Sequence, residues 1–155
     1  MASLSVGSRV PPLEALTHRG QRYDLAAAKG RLHVVYFFTK AFTPGCVKET
    51  TIHTSNYPEL LRLGVDLVGV STDDPSTQCR FADSLQAPFP MIPDPDRNIA
   101  RSWGVLYPLV GVVHRQAFVV DKGLTLLATF QNQHRVVKHT DAVMDFVRWW
   151  CASRG

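Results

Sequence analysis

The chain has 155 residues, of which 45% are hydrophobic and 19% charged, and these values predict one domain spanning residues 1–155. The net charge of +4 comes from lysines and arginines that are scattered singly, so we expect no nucleic-acid-binding surface. No apolar run approaches the roughly 18 residues of a membrane span, and Met1–Leu16 lacks the pattern of a cleaved signal segment.

Three cysteines are an odd number and too few for a disulfide framework. Free thiols persist in a reducing compartment, whereas oxidising compartments favour disulfides. We therefore expect a cytoplasmic protein that does not associate with membranes.

Strand and helix patterns alternate along the chain after an N-terminal β-hairpin with glycine in its turn. Strands are predicted at Leu13–Thr17, Gln21–Asp24, Leu32–Phe38, Val65–Ser71, Gln116–Val120 and Leu124–Phe130. Helices are predicted from about Pro44 to Leu63 (kinked or broken at Pro58), Pro75 to Gln86, Ile99 to Trp103 and Thr140 to Trp150. The alternation predicts parallel neighbours in an α/β fold, and the turn Asp121-Lys122-Gly123 predicts an antiparallel pair. We expect a single mixed sheet sandwiched by helices.

One cysteine lies where a strand feeds a helix. Thr43 has the residue type of an N-cap, and Pro44 occupies the favoured first helical position. Cys46 then lies among unpaired backbone N–H groups at the positive end of the helix dipole, which favours the nucleophilic thiolate. The alternative is a buried structural cysteine, because free cysteine is one of the most buried residue types.

Other patterns of functional residues are weak. The six histidines show no metal-ligand spacing, and His134 and His139 are interpreted as a solvated pair. No glycine-rich loop suited to phosphate is present, since Gly30, Gly64 and Gly123 fit turns. We therefore expect neither a metal nor an organic cofactor.

Several segments together resemble a known family. The central string is Phe42-Thr43-Pro44-Gly45-Cys46-Val47-Lys48-Glu49, and the strand Arg115-Gln116-Ala117-Phe118-Val119-Val120-Asp121 follows about 70 residues later. Further matches are Val6–Pro11, Val70–Asp73 and Ile92–Asp96. Over nearly its whole length the chain resembles the peroxiredoxins, an AhpC/TSA-like family of thioredoxin-like fold, and specifically the bacterioferritin-comigratory-protein or Q-type branch.

The resemblance implies reduction of a hydroperoxide by Cys46, which becomes a sulfenic acid. Thr43, Arg115 and the backbone N–H of Cys46 are the implied donors to the reacting oxygens. Glu49 is implied to hold Arg115. Without the resemblance, Thr43 is a helix cap, Arg115 a surface residue at a strand end and Glu49 an acid that complements the helix dipole. Thioredoxin or another thiol is the implied reductant, and the protein is expected to be a monomer or homodimer.

The chain departs from the family pattern at two positions. Thr39 replaces a proline that shields the cysteine and shapes its loop in the family, and Thr51 replaces the cysteine that resolves the sulfenic acid in many Q-type members. The remaining routes are Cys79, Cys151 or an external thiol. Cys79 is predicted at the border between the apolar face of its helix and solvent.

Cys151 is predicted to lie off the apolar face of the terminal helix. It lies near a chain end, where fraying of the helix would let its thiol approach Cys46. The residues assigned to that face are Ala142, Val143, Phe146, Val147 and Trp150.

Two other functions compete with a peroxidase. A thioredoxin-type dithiol oxidoreductase is disfavoured, because Thr43 stands where a CxxC motif needs its first cysteine. A non-catalytic redox sensor or chaperone-like module on the same scaffold is the alternative from another class, with Thr39 as a sign of relaxed constraint. The presence of Thr43, Cys46 and Arg115 argues against it.

Overall fold

The computed structural model describes residues 4–107 and 109–154. Its strands are β1 (Glu14–Leu16), β2 (Arg22–Asp24), β3 (Leu32–Phe37), β4 (Val65–Ser71), β5 (Met91–Pro93), β6 (Gln116–Asp121) and β7 (Leu126–Gln131). Its α-helices are α1 (Pro44–Arg62), α2 (Pro75–Leu85), α3 (Asn98–Ser102) and α4 (Val136–Arg154). In the described parts of the chain, no helix combines the length and apolar character that crossing a membrane requires.

The strands form one mixed sheet and one separate hairpin. Five strands lie in the order β5-β4-β3-β6-β7, while β1 and β2 pair antiparallel with each other. Strands β3, β4 and β5 run parallel, and β6 is antiparallel to both β3 and β7. The expected α/β fold, with a mixed sheet and an N-terminal hairpin, is confirmed.

Strand β3 is buried on both faces, and its side chains alternate between two cores. Val34, Tyr36 and Phe38 face a core to which α1, α2 and α4 contribute. Val35 and Phe37 face the opposite core, which includes residues of α3 and of the segment before β1. This central strand therefore fixes the direction in which the chain leaves the sheet towards Cys46.

Helix α1 is continuous through Pro58, so the break allowed there is absent. Proline removes one backbone hydrogen bond and clashes with the preceding turn. Leu60 is buried and Tyr57 packs against the core on the other side of Pro58. Tertiary packing of this kind stabilises a helical turn that local preference disfavours.

Helix α4 begins four residues earlier and ends four residues later than expected. Its buried residues are Val136, His139, Thr140, Val143, Met144, Val147 and Cys151. The interpretation of His139 as solvated is therefore wrong, and so is the placement of Cys151 off the packed face. Both errors arise because a longer helix extends its buried face by one turn in each direction.

Candidate active site

The sheet brings Cys46 and Arg115 to the same edge. Strands β3 and β6 are antiparallel, with Phe37 opposite Gln116, so the residue before β6 lies beside the end of β3. The chain leaves β3, crosses residues 38–43 and begins α1 at Pro44. Residues 69 positions apart in sequence thus become neighbours through strand pairing.

The loop before α1 is anchored to the neighbouring strand and helix. The Asp73 carboxylate, just after β4, accepts hydrogen bonds from the Ala41 N–H at 2.8 Å and the Ser71 hydroxyl at 2.7 Å. Phe42 adopts a left-handed backbone with φ of 66°, which is uncommon for a bulky residue. Its ring packs edge-on against Phe81 of α2, with centroids 5.3 Å apart.

The Cys46 sulfur is buried in the first turn of α1 and has 0% exposure. Pro44 has no N–H group, and within the described residues the N–H groups of Gly45 and Cys46 find no acceptor. Among the residues that the structure describes, two polar groups contact the sulfur: Thr39 Oγ1 at 3.1 Å and Arg115 Nη1 at 3.8 Å. Thr39 therefore leaves the cysteine covered, although it replaces the family's proline.

Arg115 is 3% exposed and is held from two sides. Its Nη1 donates to Glu49 at 2.6 Å, and its Nε donates to the Gln133 carbonyl at 3.4 Å. The Gln133 side chain also accepts from the Arg115 backbone N–H at 2.9 Å. A Cβ at Gly45 would lie 2.7 Å from Nη2, so glycine leaves the room that the guanidinium occupies.

Glu49 is fully buried, and its second oxygen lies near two histidines. The distances from Oε2 are 3.3 Å to His139 Nε2 and 3.8 Å to His53 Nε2, without the alignment of a hydrogen bond. Burial alone would raise the pKa of Glu49, but the contacts with His139, His53 and Arg115 hold it at about 2. Burial opposes the charge of Arg115 as well, yet Glu49 and Cys46 raise its pKa above the ordinary value. The carboxylate and guanidinium are therefore ionised together next to the sulfur.

The structure brings Cys46, Arg115 and Glu49 together, and it corrects one expectation for Thr43, that of a side-chain cap. Thr43 occupies the N-cap position, but its hydroxyl makes no cap hydrogen bond. The hydroxyl instead donates to the Lys40 carbonyl at 2.7 Å, because the turn before α1 brings this acceptor within reach. The interpretation of Arg115 as a surface residue is likewise wrong.

The two other cysteines lie in different environments. Cys79, on α2, is half-buried as expected and receives a contact from Arg19 Nη1 at 3.8 Å, while its thiol lies 3.9 Å from Asp83. Cys151 is 4% exposed in the core against the sheet, so its expected reach is wrong. In residues 4–107 and 109–154, neither sulfur has a hydrogen-bond contact with Cys46.

Four contacts of this site were missed from the sequence: those of Thr39, His53, Gln133 and His139. His139 shares a helical face with Val143 and Val147. A predicted helix that began at Val136 would therefore have placed His139 on the buried face. Gln133 lies in the loop between β7 and α4, and no sequence pattern indicated that it would contact Arg115. In the part of the chain described, no three His, Cys, Asp or Glu side chains are arranged to hold a metal ion.

Comparisons with known proteins agree with this geometry. The model of the AhpC/TSA family matches residues 6–128. The chain is 33% identical over 148 residues to a chloroplastic peroxiredoxin Q of Gentiana triflora, covering 95% of this chain and 68% of that protein.

Two solved structures have the same fold. Peroxidoxin BcpB from Mycobacterium tuberculosis gives a TM-score of 0.85 at 26% identity, covering 92% of this chain and 96% of that one. Peroxiredoxin Q of Xanthomonas campestris gives 0.82 at 25% identity, covering 90% and 91% of the two chains. The chain therefore belongs to the AhpC/TSA family, has the thioredoxin-like fold of the peroxiredoxins and is a thiol peroxidase.

Proposed function

We propose that Cys46 is the nucleophile of the peroxidase reaction. The observation that carries this role is a buried sulfur at a helix N-terminus with Arg115 Nη1 3.8 Å away. The thiolate attacks the terminal oxygen of the hydroperoxide, a sulfur–oxygen bond forms and the O–O bond breaks. Cys46 becomes a sulfenic acid, and the departing alkoxide or hydroxide takes up a proton from water.

Arg115 and the free N–H groups of α1 stabilise the charge that moves from sulfur to the leaving oxygen. Arg115 stays charged and its guanidinium is fixed by Glu49 and Gln133, so it needs little reorganisation during the reaction. The N–H groups of Gly45 and Cys46 are the backbone donors, since neither has an acceptor within the described residues. Glu49 acts through Arg115 and is a positioning residue.

We propose for Thr43 a role that differs from the one implied by the resemblance. Its hydroxyl proton is given to the Lys40 carbonyl, so the oxygen has only acceptor capacity left. We assign Thr43 as an acceptor for the O–H group of the hydroperoxide, which would orient the oxygen that the sulfur attacks.

A direct test uses the three single cysteine variants. Rapid mixing of reduced protein with hydrogen peroxide should show turnover in Cys79→Ala and Cys151→Ala with a supplied thiol, and none in Cys46→Ser. The three variants should share the circular dichroism spectrum of the parent. Turnover that survives in Cys46→Ser contradicts the assignment.

For the second half of the cycle we propose Cys79 as the resolving cysteine. Its thiol is half-buried and lies 3.8 Å from Arg19 Nη1 and 3.9 Å from the Asp83 carboxylate. As a thiolate it would attack the Cys46 sulfenic acid, so that the sulfur–sulfur bond forms while hydroxide leaves and takes up a proton to become water. The burial of Cys151 in the core supports Cys79 over Cys151 in this role. Thioredoxin, or another thiol, would then reduce the Cys46–Cys79 disulfide.

Peptide mapping decides between this route and an external thiol. One equivalent of hydrogen peroxide followed by non-reducing digestion should yield a linked peptide containing Cys46 and Cys79. Cys79→Ala should instead accumulate sulfenic acid at Cys46. If the parent also keeps unlinked sulfenic acid, an external thiol resolves the enzyme.

We also propose a cytoplasmic location and a monomeric or homodimeric state. Three free cysteines support a reducing compartment. Cell fractionation tests the location, and light scattering after size-exclusion chromatography tests the oligomeric state.

A further inference from the structure

We propose that Thr39 is a further catalytic residue, whose hydroxyl donates a hydrogen bond to the Cys46 thiolate and tunes its reactivity. This inference rests on the proposed role of Cys46. The proposal assigns a chemical function to position 39, where the resemblance leads one to expect proline. Proline has no hydrogen-bond donor, whereas threonine has a hydroxyl group.

The contact is short and its direction is fixed by chemistry. Thr39 Oγ1 lies 3.1 Å from Cys46 Sγ, closer than Arg115 Nη1 at 3.8 Å. In the neutral thiol either atom can be the donor. In the thiolate the sulfur has no proton, so only the hydroxyl can donate.

The proton of this hydroxyl has no competing acceptor in the described parts of the chain. Within residues 4–107 and 109–154, the hydrogen bond of Thr39 Oγ1 is the one with the sulfur. Thr43, four positions later, shows the opposite case, because its hydroxyl donates to the Lys40 carbonyl. Of the two threonines beside Cys46, Thr39 is therefore the one available to the thiolate.

Thr39 contacts the buried sulfur and also lines an open cavity. Cys46 has no exposed surface, whereas Thr39 is half-exposed and lines a cavity of about 300 Å³. Lys40, Thr72 and Val112 line the same cavity. Thr39 thus contacts both the reacting atom and a cavity that is open to solvent.

A hydrogen bond to the thiolate has two opposing effects on the rate. It shifts the ionisation equilibrium towards thiolate by about tenfold, the size expected for a bond to a charged acceptor. It also lowers the intrinsic nucleophilicity of the sulfur by about threefold, if peroxide attack follows the dependence known for thiol exchange. The first effect wins while most of the thiol is protonated, and the second wins once the thiol is fully ionised.

Thr39→Val tests this balance, because valine keeps the branched shape and removes the donor. The thiolate absorbance of Cys46, obtained by subtracting a Cys46→Ser titration, should rise about one pH unit higher than in the parent. The second-order rate constant with hydrogen peroxide should fall about threefold at low pH and rise about threefold at high pH. The two pH–rate profiles should therefore cross.

Two further variants act as controls. Thr39→Ser retains the hydroxyl and should restore the titration and the profile of the parent. Thr51→Val makes the same change at an exposed position of α1, where the hydroxyl bonds only the Val47 carbonyl, and should superimpose on the parent.

A crossing profile with rescue by serine supports the proposal. An unshifted titration in Thr39→Val, or a rate lowered by one factor at every pH, overturns it and leaves Thr39 as a packing residue. Turnover retained in Cys46→Ser would instead overturn the assignment of the nucleophile, and the role of Thr39 with it.

Discussion

Replacing Glu49 by glutamine removes one buried charge and preserves the shape of the side chain. Glu49 has 0% exposure, and its oxygens lie 2.6 Å from Arg115 Nη1 and 3.3 Å from His139 Nε2. We expect Glu49→Gln to lower the free energy of unfolding by about 3 kcal/mol at pH 7. For a chain of this length, that loss lowers Tm by about 6–12 °C.

The magnitude follows from the pKa of the carboxyl group. It lies at about 2 instead of the ordinary 4.5, and each unit corresponds to about 1.4 kcal/mol. Because the pKa is lowered in the folded protein, the stabilisation is fully present above a pH of about 4.5 and disappears as the pH falls towards about 2. The expected loss for Glu49→Gln agrees with the general cost of removing one partner from a buried ion pair, which is about 3–5 kcal/mol.

Urea unfolding of parent and variant, at several pH values between about 2 and 7, measures the difference. Glu59→Gln is the matched control, since Glu59 lies on the same helix and accepts two hydrogen bonds of 2.8 Å from Arg148 at the surface. Glu59→Gln should lower the free energy of unfolding by less than about 1 kcal/mol, because water screens an exposed ion pair. Equal losses for the two variants, or a Glu49 effect that is independent of pH, would refute the reasoning.

Three further predictions concern the thiols and their cationic partners. Arg115→Ala should slow peroxide attack at least about tenfold, or 1.4 kcal/mol, in stopped-flow measurements, and an unchanged rate would remove Arg115 from the site. Iodoacetamide should label Cys79 of the native reduced protein before Cys151, because Cys151 is packed in the core; mass spectrometry over time would reveal the reverse order. Arg19→Ala should slow disulfide formation by Cys79 and leave the attack by Cys46 unchanged, and quenched-flow mapping separates the two steps.

Much of the site was predictable because its residues follow local rules. A strand of β-branched and aromatic residues, followed by Thr43 and Pro44, fixes where α1 begins and places Cys46 in its first turn. The position of Arg115 beside this turn depends on the pairing of two distant strands, which no local rule supplies. The resemblance to a known family provided that partner.

The remainder depends on side-chain directions and element ends. The sequence indicates a hydroxyl at Thr43, but the direction in which it donates is set by the Lys40 carbonyl. His139 was missed because the predicted helix began after it, and β5 was missed because three residues that end in Pro93 carry too little pattern. Such contacts reflect tertiary packing, and propensity alone does not determine them.

The left-handed backbone at Phe42 bears on how long the oxidised cysteine persists. A disulfide between Cys46 and Cys79, as proposed here, needs Cα atoms within about 7 Å, and we expect the starts of α1 and α2 to open for it to form. The contact between the Phe42 ring and Phe81 joins the loop before α1 to α2 and opposes this opening. The left-handed backbone at Phe42 favours opening, because its strain of about 1–3 kcal/mol would then be released. A stronger ring contact would prolong the sulfenic acid and allow a second peroxide to convert it to sulfinic acid, while a weaker one would speed its capture. On the proposed Cys46–Cys79 route, the exposed Phe42 side chain would therefore set the balance between recycling and irreversible inactivation.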